Sequence, residues 1–144
     1  MFVIGKKELF YNKILGKMFK KLGAIPVDRE NVKPSTIRIV IKKIKSGNNL
    51  LLYPEGTRNR TEEGILASLK NGATLFALLT SVPVIPMMLD KKPKIFRKNI
   101  LMVGEPVCFE GYKPDKNNIE KASLILKEKM QKIKEDIEIY KSKK

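Results

Sequence analysis

Histidine is absent from the 144 residues, and that single absence excludes more than any residue present. Imidazole is the side chain whose unperturbed pKa lies nearest neutrality, so a reaction that needs it as general base cannot be completed by this chain. Cysteine is nearly absent. Cys108 alone permits neither an intrachain disulfide nor a multi-cysteine metal site, and it fits a reducing, cytoplasmic setting. Its place between Val107 and Phe109 predicts a buried strand thiol rather than a nucleophile. Tryptophan is missing, aromatics reach only 7%, and no groove-reading or base-stacking motif occurs, which disfavours nucleic acid as a partner. No cationic region followed by an apolar core and cleavage site opens the chain, so no signal peptide is expected. A membrane-spanning run is lacking as well. Residues 71–89 carry no charge, but Pro83 and Pro86 break the stretch and Thr80-Ser81 precede them as turn residues. It reads as a helix, a turn and a strand.

Positive charge is what the chain has in excess. Lys and Arg number 30 against 15 Asp and Glu, a net charge of +15. Such a field favours anionic lipid, nucleic acid or a phosphorylated small molecule, although lysine-rich solvated faces also occur in ordinary soluble proteins. The length suits one domain, residues 1–144, with the lysine-rich end at 141–144 expected to fray.

The hydrophobic pattern alternates. Phe2-Val3-Ile4 reads as a strand, and a helix is expected from Lys7 to Leu22, with Phe10, Ile14, Met18 and Leu22 in one stripe widened by Leu15 and Phe19. Gly23 stands where a left-handed cap ends it. Residues 24–28 read as a strand, Pro34-Ser35 opens a second helix stopped by Gly47, and Leu50–Tyr53 is a continuous apolar run of the kind buried on both faces of a sheet. A third helix is expected over roughly 69–79 and a strand over 82–89. Short strands at 100–103 and 107–109 flank the Gly104-Glu105-Pro106 turn signal. Asn117-Asn118 offers a cap for a last helix bearing Ile119, Ala122, Leu126, Met130, Ile133, Ile137 and Tyr140. This order predicts an α/β fold, a largely parallel central sheet flanked by helices.

Two segments carry candidate chemistry. In Tyr53-Pro54-Glu55-Gly56-Thr57-Arg58 a strand stops at Pro54, Gly56 permits a tight turn, and Arg58 is left at the carboxyl end of the sheet, where open α/β folds bind ligands. A guanidinium presents a planar fork that matches phosphate oxygens in pairs. In Gly23-Ala24-Ile25-Pro26-Val27-Asp28-Arg29 a second arginine follows a second strand. Taken alone, the first more often reads as a surface turn with a solvated arginine and the second as a strand end with an exposed ion pair. Together, two arginines at strand ends of one sheet can converge on one dianionic phosphate.

The order of these segments resembles the 1-acyl-glycerol-3-phosphate O-acyltransferase family. Residues 23–29 look like its second motif and residues 53–58 like its third. Lys70-Asn71-Gly72-Ala73 resembles the start of the following helix, Val82-Pro83-Val84-Ile85-Pro86 the fourth motif, and Lys7-Glu8-Leu9-Phe10 a common upstream run. The resemblance covers the chain to about Pro106. It implies a glycerolipid acyltransferase-like fold and transfer of an acyl group from acyl-CoA or acyl-ACP to the sn-2 hydroxyl of a lysophospholipid acceptor, with no bound cofactor or metal. It implies that Arg29 and Arg58 grip the acceptor phosphate while Glu55, Gly56 and Thr57 shape that pocket. Pro86 would wall the acyl site and Lys70 would meet an anionic group. The plainer readings stay open: an ion-paired Glu55, a core Pro86, a solvated Lys70. The family's first motif, a histidine followed five positions later by an aspartate, lies upstream of the Lys7 run and is not in this sequence, so no catalytic residue can be named. The family's amino-terminal membrane-docking helices would be missing with it. The resemblance also implies work at the cytoplasmic face of a membrane, peripheral or anchored through that missing part. The lysine-flanked stripes of the first and last helices support a different reading, a non-catalytic module on an anionic membrane.

Overall fold

The structure, a computed structural model, describes residues 1–28, 31–53, 71–93, 96 and 98–143. The chain divides into two compact units, Met1–Tyr53 and Pro54–Lys144.

The first unit is a parallel sheet interleaved with helices. Strand β1 (Phe2–Lys6) lies between β2 (Ala24–Val27) and β3 (Leu50–Leu51) and pairs parallel with both. Helix α1 (Lys13–Lys21) connects β1 to β2, and α2 (Pro34–Lys45) connects β2 to β3. This is the α/β alternation the sequence predicts. Pro26 is tolerated because β2 sits at the side of the described sheet, with only β1 to satisfy. Gly23, at φ 81°, takes the left-handed conformation expected after α1. Pro34 occupies the first turn of α2, where a missing N–H costs nothing, and Gly47 at φ 84° follows its end. Val40 and Ile44 of α2 are buried with Phe2 of β1, and the Lys43 ammonium stands 5.6 Å from the Phe2 ring centroid.

Two expectations need correction in this unit. The stretch from Lys7 to Leu22 is not one helix. Lys7–Phe10 forms a 3₁₀ turn, and α1 starts afresh after Asn12, whose side chain accepts hydrogen bonds from the Ile14 and Leu15 amides at 3.0 and 3.1 Å. Asn12 is an N-cap that the uninterrupted apolar stripe conceals. The stripe is also turned outward: Ile14 is 81% exposed and Leu22 67%, while Gly16 is the one buried residue of α1. Among the described residues the run at Leu50–Tyr53 is paired at Leu50 and Leu51 alone, which are half-buried, and Tyr53 is exposed.

The second unit is built on α4 (Lys116–Ser142), a long helix that runs past Tyr140 to Ser142. Ala122, Leu126, Met130, Ile133 and Ile137 bury one face of it, as the stripe predicts, whereas Tyr140 stays partly exposed. Its cap is Asp115, which accepts from the Asn118 amide at 2.8 Å, rather than Asn117-Asn118 themselves. Helix α3 (Gly72–Thr80) and the antiparallel pair β4 (Met87–Leu89) and β5 (Leu101–Val103) pack on α4. The segments 101–103 and 107 do not fold back on each other at Gly104-Glu105-Pro106. Val107 pairs with Val84 while Val103 pairs with Met87, so both continue along the same partner with one extra residue between them. The turn signal is therefore a bulge. Cys108 is exposed, not buried: Val107 makes the bridge and is buried, and the pleat sends the next side chain the other way.

Candidate functional site

Arg29, Glu55, Gly56, Thr57, Arg58 and Lys70 lie outside the described residues. What the structure does place is the frame from which those segments depart. Because β2, β1 and β3 run parallel, their carboxyl ends face one edge. Val3 pairs with both Ala24 and Leu51, which puts β2 and β3 at a common level on either side of β1. Neighbouring strands lie about 4.8 Å apart, so β2 and β3 are separated by roughly 10 Å across β1.

At the same edge the structure shows a feature that sequence reasoning missed. The Lys7 ammonium donates to Asp28 Oδ2 at 2.5 Å, and Asp28 Oδ1 accepts from the Asn31 amide at 3.3 Å. Asp28 thus ties the 3₁₀ turn after β1 to the turn that begins after β2. The hydrogen bond from Lys7 to Asp28, and then the carboxylate's charge, hold the ammonium above its ordinary value. A signal was available: the pairing of Lys6 with Val27 makes Lys7 and Asp28 the next residues on adjacent parallel strands.

Pro86 is the one predicted site residue with a described position. It is buried; its carbonyl accepts from the Gly104 amide at 2.9 Å, and its neighbours Ile85 and Met87 are the exposed ones. A Cβ on Gly104 would come within 3.1 Å of the Pro86 ring and 2.6 Å of Ile133 Cδ1, so Pro86 is closely packed beside α4. From the 70–73 run, Asn71 is described. Its carbonyl accepts from the Thr74 hydroxyl at 3.0 Å, and its side chain accepts from Ser123 Oγ at 3.1 Å. Thr74 and Ser123 lie 2.9 Å apart, which fastens the start of α3 to α4. A shallow depression of about 240 Å³ lined by Glu110, Gly111, Tyr112, Asn118 and Lys121 contains no predicted residue. Among the described residues no helix is long and apolar enough to cross a membrane.

Comparison with known proteins agrees with this frame. The acyltransferase family model matches residues 1–90. The chain is 39% identical over 109 residues to the 1-acyl-sn-glycerol-3-phosphate acyltransferase of Bacillus subtilis (strain 168), covering 72% of this chain and 53% of that protein. It is 32% identical over 121 residues to the enzyme of the same name from Cocos nucifera, covering 80% and 38%. The crystal structure of the 1-acyl-sn-glycerophosphate (LPA) acyltransferase PlsC from Thermotoga maritima superposes with a TM-score of 0.64 at 25% identity, over 93% of this chain and 56% of that one. The chain spans about half the length of the first relatives it matches.

Proposed function

The chain belongs to the acyltransferase family, and on that premise we propose that it supplies the acceptor-binding part of an enzyme that acylates 1-acyl-glycerol-3-phosphate. The reaction is attack of the sn-2 hydroxyl on a thioester, with acyl-CoA or acyl-ACP as donor, loss of the thiolate and removal of the hydroxyl proton by a general base. That base is an imidazole by family resemblance. This chain has no histidine and is expected to be inactive alone. Its share of the work is placement: Arg29 and Arg58 take the acceptor's dianionic phosphate, Glu55, Gly56 and Thr57 shape the turn around it, Pro86 backs the apolar wall, and Lys70 adds positive charge. The substrate lipid puts this work at the cytoplasmic membrane face. The observation that supports the reading is the parallel order β2-β1-β3, in which the two strands that precede the arginine-bearing segments in sequence run in the same direction.

Direct binding tests it. Lysophosphatidate below its aggregation threshold should bind the chain and monoacylglycerol should not. Arg58→Ala should weaken lysophosphatidate binding by roughly 10- to 100-fold, the scale of a lost charge-assisted contact of about 1.5–3 kcal/mol. Equal affinity for the two lipids, or an indifferent Arg58→Ala, would defeat the assignment. The second reading is a non-catalytic phospholipid-binding module, which the lysine-flanked apolar stripe of α1 supports. Upstream coding sequence with a histidine and an aspartate at the family's spacing decides for the enzyme.

A further inference from the structure

We draw no further inference here: the strongest candidate, the face of the β4–β5 pair on which Met87, Leu89, Leu101 and Val103 are exposed, carries nothing because nothing among the described residues shows what covers it.

Discussion

Asp28, the residue before Arg29 in sequence, bonds to the Lys7 ammonium and to the Asn31 amide at once. Asp28→Asn keeps an oxygen for the Asn31 amide but removes the charge that Lys7 answers. Both side chains are partly exposed, so the melting temperature should move little. If Arg29 takes the acceptor phosphate as proposed, lysophosphatidate affinity should fall severalfold all the same, because its sequence neighbour loses its anchorage. Unchanged affinity in a titration would leave the ion pair with no part in binding. Asp90 anchors a different turn. Its side chain is only 2% exposed, accepts from the Ile100 amide at 2.9 Å and from Asn99 Nδ2 at 3.2 Å, and has Lys91 at 3.6 Å. Burial pushes the carboxyl up, yet the Ile100 amide, Lys91, Asn99 and Lys141 together outweigh burial and hold it below the usual range. A folded-state pKa below the unfolded one gives stability that is complete above the unfolded value, about 3.9, and is lost as pH falls through the folded value. Acidification below about pH 4 should therefore loosen the β4–β5 turn. Asp90→Asn should remove that acid sensitivity and cost about 1.5–3 kcal/mol at neutral pH, both readable from urea midpoints at several pH values.

The elements were legible where one periodicity ran unopposed. The buried stripe of α4, the Pro34 start of α2 and the Gly23 and Gly47 stops are all visible as residue patterns, and the structure places them where those patterns point. Legibility failed where a polar side chain, not the apolar spacing, decides a boundary. Asn12 divides a continuous stripe, Asp115 caps α4 ahead of the two asparagines, and Gly104-Glu105-Pro106 makes a bulge because Val107 finds Val84 across the sheet. Those outcomes depend on partners distant in sequence or on hydrogen bonds that hydrophobic spacing does not record. Gly16 supplies a test of the revised boundary. In a free-standing helix, glycine to alanine stabilises by about 1 kcal/mol. Here the added Cβ would lie 2.6 Å from the Phe10 carbonyl oxygen and 3.2 Å from Phe10 Cα, backbone atoms that cannot rotate aside. Gly16→Ala should instead destabilise the protein by about 1–3 kcal/mol. A higher denaturant midpoint for the variant would mean that the helix does not rest on the turn before it.

For the molecule as a whole, a net charge of +15 makes any anion a candidate ligand, so specific recognition must be separated from screening. Of the proposed site, the motifs are legible in order and the sheet shows β2 and β3 running parallel on either side of β1; the side chains proposed to touch phosphate belong to segments outside the described residues. The separation is thermodynamic. Salt stabilises a like-charged chain by shortening the Debye length, about 30 Å at 0.01 M and 8 Å at 0.15 M, and any salt does so at equal ionic strength. A bound ligand adds a further term that follows its own affinity, about 2.7 kcal/mol at a hundred times Kd. Glycerol 3-phosphate at constant ionic strength should therefore raise the melting temperature in a saturating, dose-dependent manner, while glycerol with matched chloride should not. Arg58→Ala should keep the chloride response and lose the glycerol 3-phosphate increment, because one guanidinium cannot replace a pair on a dianion. Identical increments in wild type and Arg58→Ala would assign the effect to the field of thirty cations and would defeat the proposed two-arginine grip.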